Sequence, residues 1–449
     1  MIARRALLAA GHSEAPEAQA DLHVVNTCAI TAEAEAKSRQ SVRRSINAGA
    51  REVYVAGCAV NLDAAQFAGI DRAVRPFVGT ADEVAATMAG ALGGCADLEH
   101  DVLAREIHHG SARDSEQPTA RTSGSARVSE QPTARTSGSV RVSEQLTARM
   151  SGSVRETEQP AHRTRGFVKV QAGCDCGCAY CIIPAVRGGA RSRPASAVLA
   201  EVRRRVCQGQ PEMVMTGISV GDYRDPERGL ELGRLMVEVA KVPGVQRVRL
   251  SSVEVIHVKD SLLEALATEP KICPHLHVPM QSGDDQVLRA MGRHYDSHEY
   301  LCRIAALRAA VPECNVTTDV IVGFPTEDDA AFRRTLVALD AAGITRAHVF
   351  SYSPRPGTAA FALGDRVPPA DKKRRSQALR GYSEVRSRHH RAAKLGTRQL
   401  VLVDKVADTQ CSGYTADYTR CYLPAAGARR GELIDVVCEQ LRADGIACR

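Results

Sequence analysis

Short apolar runs alternate with charged stretches of helical period along most of this chain of 449 residues. Within residues 1–100, Leu22–Val25 and Val53–Ala56 predict strands, because each is a short apolar run that leads into turn residues. Helices are predicted at Ile2–Ala10 and around Lys37–Arg44. Strands that alternate with helices predict an open α/β domain over this region.

Six further apolar runs follow between residues 166 and 392, and helical stretches separate them. They are Phe167–Val170, Glu212–Met215, Val245–Leu250, Leu276–Pro279, Asn315–Val322 and Ala347–Tyr352. Six βα units predict a parallel (β/α)6 barrel or partial barrel, with its functional residues on the loops after the strands.

The last region, residues 395–449, contains short strand-like runs at Gln399–Val403, Cys421–Pro424 and Leu433–Val437. Short strands with turn residues between them predict a small β-barrel, a type of module that often binds RNA. A basic stretch, Lys372–Arg391, joins it to the central region. Such a charge run is either a solvated helix face or a phosphate contact.

Residues 111–165 interrupt the pattern, because they belong to four copies of a fourteen-residue unit: SARDSEQPTARTSG, SARVSEQPTARTSG, SVRVSEQLTARMSG and SVRETEQPAHRTRG. These units have few large apolar side chains to bury, so the segment is predicted to be a disordered linker. The alternative is that its regularly spaced arginines contact RNA phosphates weakly.

Composition narrows the class of protein. A hydrophobic content of 44% and a charged content of 25% are typical of a globular protein, and no apolar run approaches the ~18 residues of a membrane span. We therefore expect a cytoplasmic protein without a membrane partner. The net charge of +7 permits a nucleic-acid partner. Fifteen cysteines without an export signal indicate reduced thiols, several of them metal ligands.

The most specific chemical signal is Cys174, Cys178 and Cys181, spaced C-x-x-x-C-x-x-C directly after the first strand of the central region. Three thiolates on one loop fill three corners of an iron-sulfur cube and leave one iron open. An open iron can chelate S-adenosylmethionine, which favours radical chemistry. Structural zinc and a disulfide are the alternatives. Cys176 is off the spacing and is interpreted as a bystander.

Other candidates follow the ends of predicted strands, where α/β sheets bind ligands. Cys28 and Cys58 each follow a strand of the first domain, which predicts a second metal site or, alternatively, two buried thiols. In the central region, small or polar residues that suit a ligand with amino, carboxylate, ribose and adenine parts follow the strands. They are Thr216, Gly217, Ser251, Gln281, Ser282, Gly323 and Phe324.

Several of these runs together resemble a known family. They are Gln171–Pro184 with Arg187-Gly188, Asn26–Cys28, Gly57-Cys58, Gln281–Gly283 and Thr317–Pro325. The chain is similar to the radical S-adenosylmethionine methylthiotransferases over nearly all of its length except the repeats. Met215–Tyr223, Leu250–Glu254 and Tyr352–Gly357 look most like the branch that acts on N6-threonylcarbamoyladenosine beside the tRNA anticodon.

The resemblance implies roles for the candidate residues. Cys174, Cys178 and Cys181 would bind the radical-generating 4Fe-4S cluster, and Cys28 and Cys58 an auxiliary 4Fe-4S cluster that supplies sulfur. Tyr180 would pack near the adenine of S-adenosylmethionine, a second molecule of which supplies the methyl group. The C-terminal region resembles the TRAM domain, which implies binding of the tRNA anticodon stem-loop. A reducing electron donor is also implied.

One departure from the family pattern concerns the auxiliary site. The family has a first strand that ends in Gly-Cys, which provides a third ligand, but no cysteine precedes Cys28 in this chain. We expect a start codon assigned too far downstream, with a two-ligand site as the alternative. Cys95 lies in a glycine-rich stretch without strand context.

Three alternative functions stay open. Two keep the same chemistry and change the substrate, to isopentenyl-adenosine in tRNA or to an aspartate of a ribosomal protein. The third is an RNA-binding protein whose incomplete auxiliary site cannot insert sulfur.

Overall fold

A computed structural model describes residues 13–15, 20–29, 32–79, 83–84, 86–88, 139–143, 164–425 and 427–449. The chain divides into two compact units, 1–149 and 150–449. The predicted helix at Ile2–Ala10 and the candidate Cys95 lie outside the described residues.

The first unit contains a five-stranded parallel sheet in the order β1-β5-β2-β3-β4. Its strands are β1 (Ser13–Glu14), β2 (Leu22–Thr27), β3 (Glu52–Gly57), β4 (Val74–Phe77) and β5 (Ser139–Ser143), and its helices are α1 (Ala32–Asn47), α2 (Cys58–Leu62) and α3 (Ala64–Ala68). Leu22, Val24 and Tyr54 are buried in its core, because alternate side chains of a strand share one face. The predicted strands and the helix around Lys37–Arg44 are present.

Strand β5 differs from the prediction of a disordered linker. It lies in the third repeat and pairs in parallel with β2. Its sequence, Ser-Val-Arg-Val-Ser, places β-branched Val140 and Val142 two residues apart, and the other three copies lack valine at one or both of these positions. That alternation favours a strand. The remaining repeat residues before 164 lie outside the described part of the chain.

The second unit begins with a six-stranded parallel partial barrel. Its strands are β6 (Arg165–Lys169), β9 (Glu212–Thr216), β10 (Arg247–Leu250), β11 (His275–His277), β12 (Asn315–Val322) and β13 (Arg346–Ser351). Hydrogen bonding gives two three-stranded sheets, β6-β9-β10 and β11-β12-β13. Parallel bridges from Val248 to Ile272 and from Ser252 to His277 join them. The barrel strands lie where the sequence predicted them, with ends shifted by at most two residues.

Helices cover one face of this partial barrel. They are α4 (Ile183–Arg187), α5 (Ala195–Cys207), α6 (Leu232–Ala240), α7 (Asp260–Thr268), α8 (Asp285–Ala290), α9 (Ser297–Ala310), α10 (Asp329–Ala341) and α11 (Pro369–Ala392), with 3-10 turns at Val220–Asp222, Val255–His257 and Ala359–Leu363. A short hairpin pairs β7 (Gln171–Ala172) with β8 (Arg191–Ser192). Val168, Met215 and Val248 point from the strands into the helix-covered core, where each such side chain contributes roughly 1.5–3 kcal/mol.

A closed five-stranded barrel follows, in the order β14-β15-β16-β18-β17. Its strands are β14 (Arg398–Val406), β15 (Gln410–Tyr414), β16 (Arg420–Pro424), β17 (Leu433–Leu441) and β18 (Ile446–Cys448). The predicted small β-barrel is therefore present. Among the described residues, no helix has the length and apolar character needed to cross a membrane.

The loop between β15 and β16 packs on the concave face of the partial barrel, at the beginnings of its strands. Arg249 donates to the carbonyls of Thr415 and Ala416, and Asn315 donates to that of Asp417. The C-terminal barrel therefore covers the amino-terminal ends of the strands of the partial barrel. The carboxyl-terminal ends of these strands stay open for a functional site.

Candidate active site

The loop with the three spaced cysteines begins directly after β7. Cys174 N donates to Gly188 O at 3.1 Å, and Ala179 N donates to Met291 O at 2.8 Å, so both ends of the loop are anchored to neighbouring segments. Gly173 has a φ of +72°, and a Cβ there would collide with the carbonyl of Gly189. A glycine is therefore required where the cysteine loop turns.

Arg293 contacts this loop from the segment after α8. Its Nη1 donates to Cys178 Sγ at 3.1 Å and to Glu254 Oε1 at 3.0 Å, and its Nε donates to Tyr295 OH at 3.2 Å. Burial raises the pKa of the Cys178 thiol, and the neighbouring guanidinium opposes that shift. Arg293 thus places a buried positive charge against one candidate ligand sulfur.

The other two spaced thiols have different surroundings. Burial raises the pKa of Cys181 to about 11, whereas a hydrogen bond with the Cys176 thiol lowers the pKa of Cys174 to about 7. Cys176 also donates its backbone N–H to Cys174 Sγ at 3.4 Å. Cys176, which lies outside the C-x-x-x-C-x-x-C spacing, therefore contacts the candidate ligand Cys174.

The three spaced thiols are not gathered around a single point. Within the described part of the chain, Cys174, Cys178 and Cys181 do not form a group whose ligand atoms all lie within 4.8 Å of one another. Cysteines that bind a 4Fe-4S cube hold different irons, so their sulfurs stand farther apart than those around a single ion. Three partly exposed thiols on an anchored loop fit such a cube.

Gln171 joins the cysteine loop to the end of β9, where the predicted residues Thr216 and Gly217 lie. Its Nε2 donates to Gly173 O at 2.8 Å, and its Oε1 accepts from the backbone N–H of Ile218 and of Ser219. A Cβ on Gly217 would come within 3.0 Å of this side chain. No positioning role was predicted for Gln171, although it lies in the run that carried the resemblance.

Ser251 and Gln281 provide two buried oxygens at the ends of β10 and β11. Ser251 Oγ and Gln281 Oε1 make no hydrogen bond to any described residue. Gln281 also has a φ of +63°, which is uncommon for a residue other than glycine and often marks a functional site. Unpartnered buried oxygens cost about 1–3 kcal/mol each, so these two predicted residues are suited to a polar ligand.

Three other predicted contacts are placed differently. Ser282 is buried and turns toward Thr335 of α10, at 3.4 Å between hydroxyls. Gly323 packs against the side chain of Lys372. Phe324 is fully buried, and Tyr180 meets it edge-on with ring centroids 6.5 Å apart. Phe324 and Ser282 are therefore buried behind the strand ends, whereas the ring of Tyr180 stays partly exposed to solvent.

The concave face carries polar side chains that the sequence analysis missed. His277 Nε2 and His348 Nδ1 lie 3.1 and 3.4 Å from Asp319 Oδ1, and the two rings stack at 5.3 Å. Burial raises the pKa of Asp319, but hydrogen bonds from both histidines outweigh it and hold the value at about 2. His277, Asp319 and His348 lie on three different strands, β11, β12 and β13, and are far apart in the sequence. No local sequence pattern therefore predicts that they meet.

Two phenylalanines flank this concave face. Phe350 on β13 is 43% exposed and Phe167 on β6 is 38% exposed. Phe350 pairs with Ile321, two residues beyond the Asp319–His348 pair, so it lies on the same face. Since β6 and β13 are the edge strands, both rings line the open side of the partial barrel.

In the first unit, Cys28 and Cys58 follow the carboxyl-terminal ends of two neighbouring strands, β2 and β3. Thr27 and Gly57 are paired residues of β2 and β3, and each cysteine directly follows one of them. Gly57 has a φ of +112°, and a Cβ there would lie 2.5 Å from Thr27 O. The structure therefore brings both predicted cysteines to neighbouring strand ends, an arrangement suited to two ligands of one metal group.

The basic stretch lies within α11, and its side chains fall on both the buried and the exposed sides of that helix. Lys372, Arg375 and Arg391 are buried, and Arg375 pairs with Glu327 at 2.8 Å. These three side chains support the fold and are closed to phosphates. Lys373, Arg380 and Arg388 of the same helix are exposed.

Comparison with known proteins places the chain among related sequences. Residues 168–339 match the radical SAM superfamily model, and residues 2–79 match "Uncharacterized protein family UPF0004". The chain is 38% identical over 288 residues to threonylcarbamoyladenosine tRNA methylthiotransferase MtaB of Thermotoga maritima, covering 64% of this chain and 66% of that protein. It is 29% identical to the Chlamydia pneumoniae protein of the same name, over 96% of this chain and 89% of that protein.

A relative with another substrate in its name is also similar. tRNA-2-methylthio-N(6)-dimethylallyladenosine synthase of Solibacter usitatus is 39% identical over 241 residues, which is 54% of this chain and 54% of that protein. Among solved structures, the radical S-adenosylmethionine methyltransferase TsrM of Kitasatospora setae has a TM-score of 0.50 at 15% identity, covering 78% of this chain and 66% of that one. That likeness concerns the fold. The chain belongs to the radical S-adenosylmethionine superfamily, within its methylthiotransferase family.

Proposed function

We propose that this protein is a tRNA methylthiotransferase that adds a methylthio group to C2 of N6-threonylcarbamoyladenosine beside the anticodon. The observation that carries the proposal is the anchored loop with Cys174, Cys178 and Cys181 at the same strand ends as the unpartnered oxygens of Ser251 and Gln281. The carboxyl-terminal side of the partial barrel thus combines three cysteine thiols with two buried oxygens that make no hydrogen bond within the described residues.

The proposed radical centre consists of the three spaced cysteines. These cysteines would hold a 4Fe-4S cluster that, with S-adenosylmethionine and one electron from a reducing donor, would supply the radical chemistry needed to remove hydrogen from an unactivated carbon. Arg293 holds Cys178 in place and keeps a positive charge at the ligand sulfur. Gln171 fixes the loop against the end of β9, so the ligands and the cofactor pocket keep one geometry.

The proposed S-adenosylmethionine pocket lies along the same edge. Tyr180, Thr216, Gly217, Ser251 and Gln281 would contact the cofactor, with the phenol ring near its adenine and the two buried oxygens accepting or donating hydrogen bonds. Phe324 packs edge-on against Tyr180, whereas Ser282 contacts Thr335 and Gly323 lies against Lys372.

The sulfur-donating site is proposed at Cys28 and Cys58. Adjacent thiols at two strand ends can bind two irons of an auxiliary 4Fe-4S cluster, and a reducing electron donor would serve both centres. The C-terminal barrel, residues 395–449, is proposed to act as a TRAM-like domain that binds the anticodon stem-loop.

A second candidate substrate is isopentenyl-adenosine, also in tRNA. The Solibacter relative, whose name specifies the dimethylallyl nucleoside, supports it at an identity similar to that of the Thermotoga protein. Both candidates share the chemistry at C2 and differ in the group on N6.

Mass spectrometry of tRNA nucleosides from a deletion strain tests the proposal. We expect 2-methylthio-N6-threonylcarbamoyladenosine to disappear and its unmodified precursor to accumulate, with the methylthio-isopentenyl nucleoside unchanged. Complementation with the wild-type gene should restore the product, whereas a gene encoding Cys178→Ala should not. Loss of the isopentenyl product instead would support the second candidate, and an unchanged profile would refute both.

A further inference from the structure

Four cysteines of the C-terminal barrel point into its interior from four different strands. Cys411, Cys421, Cys438 and Cys448 lie on β15, β16, β17 and β18, and all four are buried in one core with Val401, Val403, Val436 and Ile446. Neither the radical centre nor the auxiliary site uses them. A buried cysteine by itself is a small apolar side chain, so their mutual distances decide whether they have a further role.

Three of these thiols converge. The sulfurs of Cys421, Cys438 and Cys448 all lie within 4.8 Å of one another, and those of Cys438 and Cys448 are 3.9 Å apart. Cys438 and Cys448 are direct cross-strand partners. Cys421 reaches the same point from β16, which pairs with β18 on the other side. Convergence from three strands needs the closed barrel.

The spacing suits one metal ion. Zinc–sulfur bonds of about 2.3 Å in a tetrahedral site hold the sulfurs about 3.8 Å apart, close to the Cys438–Cys448 separation. The sulfurs of a 4Fe-4S cube would need to stand farther apart, because each holds its own iron. The barrel triad is therefore too compact for a third cluster and has the size of a mononuclear site.

The ligand type narrows the metal further. The group contains sulfur alone, and thiolate sets select soft or borderline ions such as zinc or monovalent copper over magnesium or calcium. We propose that Cys421, Cys438 and Cys448 form a mononuclear thiolate site for a thiophilic ion, zinc in the first instance, inside the C-terminal barrel. This site is separate from the proposed tRNA chemistry and does not depend on it.

The ion would stabilise the barrel in a particular way. Each ligand lies on a different strand, so one ion links β16, β17 and β18 across the core. A metal bound by the folded state alone raises the stability of that state. A strong chelator is then expected to lower the thermal midpoint of the barrel.

Metal analysis of the purified full-length protein, with its iron-sulfur clusters present, tests the site. We expect about one zinc or copper per chain in addition to iron. Cys448→Ala should lower that content more than tenfold. Cys411→Ala is the matched control, because it removes a buried thiol from the same core but outside the triad, and it should keep the metal.

A second measurement covers the case in which Cys448→Ala does not fold. Protein with Cys28, Cys58, Cys174, Cys178 and Cys181 all replaced by alanine, treated with chelator and then with Cd²⁺, should develop an ultraviolet thiolate-to-metal charge-transfer band from the barrel triad, which the added change Cys411→Ala should preserve. Three outcomes would overturn the site: wild-type protein without zinc or copper together with no cadmium band in the five-cysteine variant, a disulfide between Cys438 and Cys448 in its place, or equal loss of metal in Cys411→Ala.

Discussion

At the scale of single residues, the cysteine loop contains three proposed cluster ligands and one further cysteine that is not proposed as a ligand. Cys178 accepts a hydrogen bond from Arg293 at 3.1 Å, whereas Cys176 lies off the spacing and touches Cys174. Cys178→Ala is expected to abolish the radical-site iron and the cleavage of S-adenosylmethionine. Cys176→Ala should retain both, since it removes no proposed ligand. Iron content and formation of 5'-deoxyadenosine measure the difference, and equal loss in the two variants would contradict this assignment.

Arg293 allows a second prediction at this scale. Its buried charge lies against the sulfur of Cys178, a proposed cluster ligand, and partners of metal ligands tune affinity and activity. Arg293→Gln should slow cleavage of S-adenosylmethionine by about 10- to 100-fold and make the cluster harder to reduce, because a positive charge is lost. Redox titration measures the potential. An unchanged potential with full activity would show that the arginine acts through packing alone.

His275 makes stability depend on pH. Burial and the nearby Arg249 charge lower its pKa to about 3, so it stays neutral in the fold while the unfolded chain protonates near pH 6.5. The unfolded state therefore gains protons first as pH falls. The contribution of His275 to the free energy of unfolding should therefore decrease by about 1.4 kcal/mol as the pH is lowered from about 7.5 to about 5.5.

The variant His275→Phe tests that contribution. Phenylalanine can keep the stacking on Tyr418 but cannot titrate. The drop in thermal midpoint between the two pH values should be smaller in the variant than in the wild type. An equal drop in both would assign the acid sensitivity to other groups.

At the scale of elements, the two edge strands of the partial barrel define where a substrate base can enter. Phe350 exposes its ring on the concave face of β13, beside the stacked histidines. An exposed aromatic ring at the open side of the barrel is suited to stacking on a nucleobase, and stacking contributes about 1–3 kcal/mol per base.

Phe350→Ala is therefore expected to raise the KM for tRNA by about tenfold, which corresponds to about 1.4 kcal/mol of lost stacking. Cleavage of S-adenosylmethionine without tRNA should be preserved. Val337→Ala on the outer face of α10 is the control, since that side chain is exposed and lies on a helix away from the concave face. An unchanged KM in Phe350→Ala would exclude a stacking role.

At the scale of the whole second unit, buried arginines connect the two barrels. Arg249 pairs with Glu212 at 3.2 Å and donates to the carbonyls of Thr415 and Ala416, with 4% of its surface exposed. Tyr418 adds an unusual φ of +71° and stacks on His275 at 5.2 Å. The C-terminal barrel is thus held by charge-assisted hydrogen bonds in addition to apolar contact.

Arg249→Met should destabilise this junction by about 3–5 kcal/mol, because it leaves Glu212 buried without its partner. Arg234→Met is the matched control, since Arg234 pairs with Glu264 at the surface, where such a pair contributes about 0–1 kcal/mol. Thermal unfolding and limited proteolysis between the barrels measure both. Equal resistance of the two variants would mean that the buried pair does not hold the junction.

Much of the architecture followed from local pattern. The strand β12 matched its predicted bounds, and the cysteine spacing identified one loop, because both signals lie within a few consecutive residues. The prediction for the repeats differed at Ser139–Ser143, where two valines in one copy outweighed the polar composition of the segment.

The sequence by itself determined the order of strands and helices, the three spaced cysteines and the family. These depend on periodicity and on motifs, which need no knowledge of distant contacts. The tertiary structure alone decided that Arg293 contacts Cys178, 115 positions away in the sequence. It also decided that the side chains of Phe324 and Ser282 are buried. It also brought Cys421, Cys438 and Cys448 together, because their convergence depends on which strands pair when the barrel closes.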